Sequence, residues 1–271
     1  MAKPLGAGAR GTAIAPPRCP EGHGLLAGKT VLVTAAAGTG IGFATARRCA
    51  AEGARVMLAD QHAARVARCA EALAAESGSA VPFSVCDVTD ESQVRGMFAH
   101  ALSELGGLDV LVNNAGLGGT TNVVDMTDAQ WSRVLDVTLT GTFRCLRAAL
   151  EHMLPRRRGS IVNLGSALGW RAQAGQAHYA AAKAGVLALT RCAAVEAASA
   201  GVRVNAVVPS LVLHPNLAKV SSEAFLQSLV EKEAMKRSAE PFEIANVIVF
   251  LASDLASYLT GEAISVSDQR A

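Results

Sequence analysis

Short apolar runs alternate with longer helical patterns along most of the chain. The runs have the length of strands and are bounded by glycine or polar residues, which predicts buried strands. They occupy residues 30–35, 55–60, 80–88, 108–116, 159–166, 203–209 and 261–267. Strands that alternate with helices are typical of parallel sheets. The pattern therefore predicts one α/β domain, with a doubly wound parallel sheet of about seven strands and helices on both faces.

The segments between these runs predict helices. Gly53 and Gly78 stop the first two helices, and residues 89–91 (Thr-Asp-Glu) resemble an N-terminal cap for the third. The helical ranges are about 43–53, 63–76, 91–105, 128–137, 138–154, 176–200, 222–235 and 241–253. Because crossovers between parallel strands are right-handed, the carboxyl ends of the strands share one edge, where we expect ligands to bind.

Two segments depart from this alternation. Residues 1–24 are rich in glycine, alanine and proline and have no apolar signal-peptide core, so they predict a disordered N-terminal tail. Residues 25–271 would then form the catalytic domain. Within it, residues 210–237 are less regular and predict a substrate lid that orders on binding.

Composition excludes several classes of protein. Of 271 residues, 51% are hydrophobic and only 4% aromatic, which predicts a large core of Ala, Val and Leu. The net charge is only +2, which does not indicate a basic surface for nucleic acid or a membrane, so neither is expected as a partner. Residues 156–158 are three consecutive arginines. We interpret them as a solvated turn, with a site for an anionic tail such as a CoA phosphate as the alternative.

The cysteines are scattered. None of the six forms a C-x-x-C pair or a His/Cys cluster with metal spacing, so no metal is expected. They are interpreted as reduced thiols of a cytoplasmic protein. No apolar run approaches the ~20 residues that span a bilayer.

A glycine-rich turn follows the first predicted strand and opens the first helix. Glycines there let backbone amides approach a pyrophosphate at the positive end of a helix. Asp60 ends the second strand, where a carboxylate accepts hydrogen bonds from both ribose hydroxyls and repels a 2′-phosphate. These features favour NAD over NADP as cofactor. His62 and Arg65 begin the next helix and would only weaken that preference.

Ser166, Tyr179 and Lys183 carry the candidate chemistry. Tyr179 and Lys183 are four residues apart, so they share one face of a helix. A lysine cation beside a phenol favours the phenolate, so we expect a lowered pKa for Tyr179. Such a phenol can exchange the proton of an alcohol/ketone pair while a serine hydroxyl holds the oxygen. The alternative is an alanine-rich helical turn with a solvated lysine, which does not explain the cofactor turn upstream.

With these residues in view, residues 25–267 resemble the short-chain dehydrogenase/reductase family, whose domain is of the Rossmann type. The match rests on N-N-A-G at 113–116, on Ser166 and on the Y-x-x-x-K pair. The resemblance implies that Tyr179 is the general acid/base, that Ser166 orients the substrate carbonyl, and that Lys183 tunes the phenol and holds the nicotinamide ribose. It also implies a homotetramer or homodimer built on the two long helices. The cofactor contacts that it implies are Gly38, Thr39, Gly40, Ile41, Gly42, Asp60, Asp87, Val88, Asn114, Ala115, Gly116, Tyr179, Lys183, Pro209 and Val212.

The chain departs from the family pattern in four places. The turn T-A-A-A-G-T-G-I-G is one residue longer than usual and lacks the early glycine. Thr138 stands where the family has an asparagine that props a helix kink and a water leading to the lysine. His214 replaces a threonine after Pro209, and residues 267–268 (Ser-Asp) replace a C-terminal D-G-G.

These variants together resemble an actinobacterial subgroup, the reductases of mycobacterial steroid-ring catabolism. The resemblance implies an NAD(H)-dependent oxidoreductase acting on CH–OH, with a bulky apolar or CoA-thioester substrate. The alternatives are a 3-oxoacyl (ACP or CoA) reductase of linear chains and a non-catalytic, cofactor-sensing protein. Trp170 would suit a bulky substrate or cover a subunit interface, and Arg171 would pair with an anionic tail or lie in solvent. Other candidate pocket walls are Gly118, Gly119, Leu168, Gln173, Leu213 and the helix containing Phe225.

Overall fold

A parallel sheet forms the centre of the computed structural model, which describes residues 15–213 and 223–268. Its seven strands in the described residues have the order β3-β2-β1-β4-β5-β6-β7, and every neighbouring pair is parallel. The predicted Rossmann-type, doubly wound architecture is thereby confirmed. The strands are β1 (Thr30–Val33), β2 (Arg55–Asp60), β3 (Phe83–Val85), β4 (Val110–Asn113), β5 (Gly159–Leu164), β6 (Val202–Pro209) and β7 (Ala263–Val266).

Helices cover both faces of this sheet. One apolar core packs α3, α5 and α6 on one face, and a second packs α1, α2 and α8 on the other. Nearly every side chain of the central strands is buried, as expected for a sheet covered on both faces. The helices are α1 (Ile41–Ala51), α2 (Ala63–Ser77), α3 (Glu91–Leu105), α4 (Asp128–Leu135), α5 (Gly141–Arg156), α6 (Ala177–Ala198), α7 (Glu223–Val230) and α8 (Pro241–Ala252).

Some boundaries differ from the predicted ones. The third strand is shorter than residues 80–88, because Pro82 cannot donate to the ladder and Asp87 turns the chain by accepting from the Thr89 amide. The helices predicted at 128–137 and 138–154 are continuous, joined by a π-helical turn at Asp136–Thr140. The predicted cap is present, since Asp90 accepts from the Ser92 and Gln93 amides at 2.8 and 3.1 Å.

The segment before β1 packs against the end of α1. Glu52 is fully buried and accepts from the His23 and Leu25 amides at 2.8 and 3.0 Å. Arg48, one helical turn earlier, binds Glu52 at 2.5 Å and donates to the Pro20 carbonyl at 2.9 Å. The predicted tail therefore needs a correction, because residues 20–24 are attached to the domain. Residues 1–14 lie outside the described part of the chain.

Candidate active site

Ser166, Tyr179 and Lys183 meet at the carboxyl edge of the sheet. Ser166 follows β5 in extended conformation, and its Oγ accepts from the Leu168 amide at 3.2 Å. Tyr179 and Lys183 lie one turn apart near the start of α6. The Ser166 hydroxyl lies near enough to the Tyr179 hydroxyl to lower the pKa of the phenol. The structure thus brings together the three residues that the sequence singled out.

Lys183 is buried beside this pair, with 2% of its surface exposed. Its Nζ donates to the Leu164 carbonyl at 2.5 Å and lies 5.6 Å from the centre of the Tyr179 ring. Burial lowers the pKa of Lys183 to about 8, because the ammonium loses its hydration. The lysine is therefore poised to lose its charge just above neutral pH.

The pKa of Tyr179 differs from the expectation. Burial raises it above its ordinary value, and the hydrogen bond from Ser166 opposes that rise only in part. The expected lowering by Lys183 is not found, because the amine is hydrogen-bonded to Leu164 rather than to the phenol. In this state Tyr179 is a protonated phenol, which is the form that donates a proton.

Thr138 lies in the π-helical turn and is fully buried. Its hydroxyl donates to the Leu117 carbonyl at 3.1 Å and accepts from the Leu117 amide at 2.9 Å. The Thr138 carbonyl accepts from the Thr142 hydroxyl at 2.8 Å. The threonine therefore fixes the loop after N-N-A-G, and its hydroxyl contacts neither Tyr179 nor Lys183.

Asn114 ties the N-N-A-G loop to the glycine-rich turn. Its Nδ2 donates to the carbonyls of Thr34 and Ala35 at 3.2 and 3.0 Å. The Thr34 hydroxyl accepts from the Asn114 and Ala115 amides in return. A side chain at Gly42 would lie 2.4 Å from the Ala35 carbonyl oxygen and 2.5 Å from Asn114 Nδ2. Glycine is therefore required at position 42 for these two loops to approach.

The lengthened turn has no glycine at its start, yet its backbone there adopts a conformation that favours glycine. Ala35 replaces the early glycine and adopts φ +48°, a left-handed conformation that costs a non-glycine residue energy. The next residues turn toward β2 and α2. The Ala37 amide donates to Asp60 Oδ2 at 3.1 Å, and the Gly38 amide donates to Cys69 Sγ at 3.3 Å. The early part of the turn is thus held by protein groups.

Asp60 lies beside this turn, at the end of β2. Its second carboxylate oxygen accepts from the His62 amide at 2.9 Å and lies 3.6 Å from a guanidinium nitrogen of Arg65. Burial raises the pKa of Asp60, while the Ala37 hydrogen bond and Arg65 oppose the rise. Arg65 therefore faces the carboxylate that was predicted to select NAD.

The start of α1 has the features of an anion site. Gly40 is its N-cap, and within the described residues no side chain caps the helix. Side chains added at Gly38 or Gly40 would meet no atom within 4 Å, so the backbone there is open. Helix amides without a protein acceptor suit a pyrophosphate. Thr39 and Ile41 belong to the same segment.

The other predicted cofactor residues also lie at this edge or next to it. Asp87 follows β3, and its carboxylate accepts from Thr89. Val88 is buried against Gly141, where an added side chain would come within 2.6 Å of it. Pro209 ends β6, and Val212 is nearly buried in a bridge with Ala239. His214 lies outside the described residues.

Asp268 and Ser210 both bind residues in the second half of the segment that was predicted to be a lid, residues 210–237. Asp268 Oδ2 accepts from the Met235 amide at 2.8 Å, and the Ser210 hydroxyl donates to buried Glu233 at 3.2 Å. Asp268 thus occupies a defined place although the usual D-G-G is missing. The movement of the lid stays a prediction.

Residues 156–158 lie far from this edge, beside the amino ends of the strands. Arg158 pairs with Asp109 at 3.3 Å, and Arg156 donates to the Leu108 carbonyl at 3.3 Å. Arg157 donates to the Ser199 carbonyl at 2.7 Å. Their guanidinium groups therefore make structural contacts, which favours the interpretation as a turn over that of an anionic-tail site.

A buried polar contact beneath the site was not foreseen. Asn163 accepts from Asn113 Nδ2 and donates to the Thr190 hydroxyl, both at 2.9 Å. It links β4, β5 and α6 immediately before Leu164, the residue that holds Lys183. A polar residue inside the otherwise apolar run of β5 was the available signal. The Leu164 carbonyl itself is backbone and leaves no signal in the sequence.

The described part of the chain has neither a metal-binding cluster nor a membrane-spanning helix. No group of three His, Cys, Asp or Glu side chains there is arranged to hold a metal ion. None of the helices in residues 15–213 and 223–268 is long and apolar enough to cross a membrane.

Comparisons with known proteins agree with this geometry. Residues 35–268 match the family model described as enoyl-(acyl carrier protein) reductase. The chain is 58% identical over 249 residues to the (5R,7aS)-5-hydroxy-7a-methyl-1-oxo-2,3,5,6,7,7a-hexahydro-1H-indene-carboxyl-CoA reductase of Mycobacterium tuberculosis, covering 92% of this chain and 95% of that one. It is 37% identical to a 3-oxoacyl-[acyl-carrier-protein] reductase of Thermotoga maritima, covering 89% and 97%. A crystal structure of a short chain dehydrogenase from Mycobacterium smegmatis superposes with a TM-score of 0.85 at 52% identity, covering 95% and 99%.

Proposed function

The chain belongs to the short-chain dehydrogenase/reductase family, and from this premise we propose that it reduces a ring ketone, or oxidises the matching alcohol, on a bulky CoA thioester with NAD(H). The observation that supports the chemistry is the placement of Ser166 beside Tyr179, with Lys183 buried next to them. A non-catalytic protein would have no need for a buried lysine at this point, which disfavours the cofactor-sensing alternative.

The residues present fit a nicotinamide dinucleotide. The uncapped start of α1 would hold the pyrophosphate, and Asp60 would hold the adenosine ribose. Lys183 would contact the nicotinamide ribose. When bound, the nicotinamide gives hydride to a carbonyl carbon or takes it from a carbinol carbon. Asp60 supports NAD over NADP, although Arg65 beside it reduces the carboxylate's repulsion of a 2′-phosphate.

The side chains of the site account for the movement of the proton. The Ser166 hydroxyl donates to the substrate oxygen and orients it toward Tyr179. The phenol, kept protonated by burial, donates its proton to that oxygen as the ketone is reduced. Lys183 stays bonded to the Leu164 carbonyl in this step and, 5.6 Å from the centre of the Tyr179 ring, would hold the nicotinamide ribose. In oxidation each step runs in reverse.

The substrate class is inferred from the relative in Mycobacterium tuberculosis, whose name specifies a hydrindane ring with a carboxyl-CoA group. Gly118 and Gly119 widen the approach to the site, because they place no side chain over Tyr179 and His178. The 37% identity to a 3-oxoacyl-[acyl-carrier-protein] reductase keeps linear acyl thioesters as the second candidate.

The experiment is a comparison of thioester substrates with each cofactor. Absorbance of the reduced cofactor is followed with the hydroxy-oxo-hydrindane carboxyl-CoA and with linear 3-oxoacyl thioesters, each with NAD(H) and NADP(H). We expect a higher kcat/KM for the ring substrate with NAD(H). The Tyr179→Phe variant should lose turnover by about 10²- to 10⁴-fold and still bind NADH. Turnover of Tyr179→Phe equal to wild type would overturn the assignment of the phenol.

We also propose that the chain forms a homotetramer or homodimer through α5 and α6, and that it works in the cytoplasm. Exposed apolar side chains on α4, α5 and α6, namely Trp131, Phe143 and Val195, support the oligomer. The free state of the cysteines supports a reducing compartment. Light scattering on a size-exclusion column measures the assembly, and a monomeric mass would contradict it.

A further inference from the structure

Trp170 and Arg171 follow Ser166 closely in sequence, on the far side of a single 3₁₀ turn. The Gly169 amide donates to the Ser166 carbonyl at 2.9 Å, and the Trp170 and Arg171 amides both donate to the Ala167 carbonyl, at 3.0 and 2.9 Å. These bonds form the 3₁₀ turn Ala167–Gly169. They keep the backbone of both residues close to Ser166, at the carboxyl edge of the sheet.

Arg171 has a charge that none of the described side chains neutralises. The residue is partly buried, yet among the described side chains of residues 15–213 and 223–268 its guanidinium makes no ion pair, and it donates no side-chain hydrogen bond there. The arginines at 156–158, in contrast, all bind protein oxygens. A guanidinium matches the oxygens of a phosphate in geometry and charge, so an unpaired one near a substrate site points to an anionic ligand.

Trp170, the residue before Arg171, supplies a flat apolar surface. Trp170 is 51% exposed, although an indole is among the largest apolar groups of the chain. Nucleic-acid bases stack on exposed aromatic rings. An exposed aromatic face and an unpaired guanidinium on consecutive residues therefore offer the two kinds of contact that an adenine nucleotide with phosphate groups requires.

A CoA thioester carries such a nucleotide at the far end of its pantetheine arm. The ring must lie at Ser166 and Tyr179, and the long pantetheine arm leads from the thioester to solvent. We propose that Trp170 and Arg171 bind the phosphorylated adenine nucleotide of coenzyme A, with the base on the indole and a phosphate on the guanidinium. This inference rests on the proposed function, because only a CoA-linked substrate carries that nucleotide.

Steady-state kinetics with two thioesters of the same ring acid test the proposal. One is the CoA thioester and the other is the pantetheine thioester, which lacks the nucleotide. Arg171→Gln should raise KM for the CoA thioester about ten-fold more than for the pantetheine thioester, with little change in kcat. The matched control is Arg133→Gln, because Arg133 on α4 also has no side-chain partner among the described residues. Equal effects of Arg171→Gln on both thioesters would overturn the proposal.

A fluorescence titration gives a readout that does not depend on turnover. The chain has two tryptophans, so Trp131→Phe leaves Trp170 as the single emitter. With NAD present at saturation to fill the dinucleotide site, coenzyme A should quench this emission, and pantetheine should not. When Arg171→Gln is added to this variant, half-maximal quenching should require a coenzyme A concentration about ten-fold higher.

The two experiments separate this inference from the proposed function. If wild type turns over neither thioester but coenzyme A still quenches Trp170, the proposed reaction fails and the nucleotide site stands. If both thioesters are turned over with equal KM and Trp170 does not respond to coenzyme A, the nucleotide site fails. A Trp170 that covers a subunit interface would give this second result.

Discussion

Thr138 holds Leu117 through one hydroxyl that both donates to its carbonyl and accepts from its amide, at 3.1 and 2.9 Å. Leu117 directly follows the N-N-A-G loop, which in turn holds the glycine-rich turn through Asn114. A single side chain on the π-helical turn thus fixes the segment between the cofactor side and the substrate side of the site.

The first prediction concerns this hydroxyl. Thr138→Val keeps the shape of the side chain but leaves both Leu117 groups without a partner, which should lower the free energy of unfolding by about 1–2 kcal/mol. Because the loop loses its position, kcat should also fall, roughly ten-fold. Denaturant unfolding and steady-state kinetics measure the two effects. Thr138→Ser is the control and should behave like wild type. A fully active Thr138→Val would show that the loop does not depend on this contact.

The second prediction concerns the strained turn. Ala35 at φ +48° should be relieved by glycine, so Ala35→Gly should raise stability by about 0.5–1 kcal/mol despite the greater freedom of glycine in the unfolded chain. Ala36→Gly, at the buried neighbour without a positive φ, should instead lower stability by roughly 0.5–1 kcal/mol. Thermal unfolding of both variants checks the opposite signs, and a shared sign would contradict the role given to the backbone at position 35.

Sequence reasoning recovers the features that repeat along the chain or sit at an element boundary. The apolar runs locate the strands, and position at a strand end distinguishes Asp60 and Ser166 from other polar residues. Contacts made by backbone groups have no such pattern. The bond from Lys183 to the Leu164 carbonyl therefore could not be predicted. The raised pKa of Tyr179 comes from burial of the phenol, which depends on tertiary packing and has no local pattern either.

The attachment of the N-terminal segment shows a second limit. Arg48 and Glu52 are spaced as an ordinary ion pair on a helix surface. They are buried because residues 20–25 lie over them and donate or accept through backbone groups. The glycine- and proline-rich composition of that segment gives no indication of this docking, so the segment was predicted to be disordered.

The third prediction links Lys183 to stability. Burial lowers its pKa to about 8, so the unfolded chain binds more protons between pH 8 and about 10.5, and wild-type stability should rise with pH across that window. Lys183→Met removes the buried charge. After about 1 kcal/mol is subtracted for the lost bond to Leu164, the variant should be more stable by about 2 kcal/mol at pH 7. The difference should shrink above pH 8.

Thermal unfolding across pH measures this difference in stability between variant and wild type. The control is Lys232→Met at an exposed position, which should show no such difference. Loss of stability in Lys183→Met at neutral pH would mean that the ammonium is stabilised in the fold. Loss of turnover in the same variant would show that the lysine is kept for function at a cost in stability.

The fourth prediction concerns acid sensitivity at the opposite edge. His152 Nε2 accepts from the Leu108 amide at 3.2 Å, and burial followed by the charge of Arg156 lowers the pKa of His152. A histidine with a lowered folded pKa contributes stability that is full above its unfolded pKa, near 6.5, and is lost as pH falls through the folded pKa. Protonation removes the acceptor for Leu108.

The His152→Gln variant offers an amide oxygen that accepts at every pH. Its stability should therefore fall less steeply than that of wild type between about pH 6.5 and pH 5, above the range where most carboxylates titrate. Equal slopes for His152→Gln and wild type would remove His152 as the cause.

The last prediction concerns the choice of cofactor at Asp60. Its carboxylate accepts from the Ala37 and His62 amides, so Asp60→Asn keeps an acceptor in place while removing the negative charge. Arg65, 3.6 Å from the carboxylate in wild type, would then be free to bind a 2′-phosphate. We expect the ratio of kcat/KM for NADPH over NADH to rise about ten-fold or more, since losing one repulsive charge is worth on the order of 1.4 kcal/mol.

The double variant Asp60→Asn, Arg65→Gln should lose most of that gain, because removing the guanidinium removes the attraction for the 2′-phosphate. Initial rates with both cofactors at a fixed substrate concentration measure the ratio. An unchanged ratio in Asp60→Asn would show that selection between the cofactors lies elsewhere in the turn.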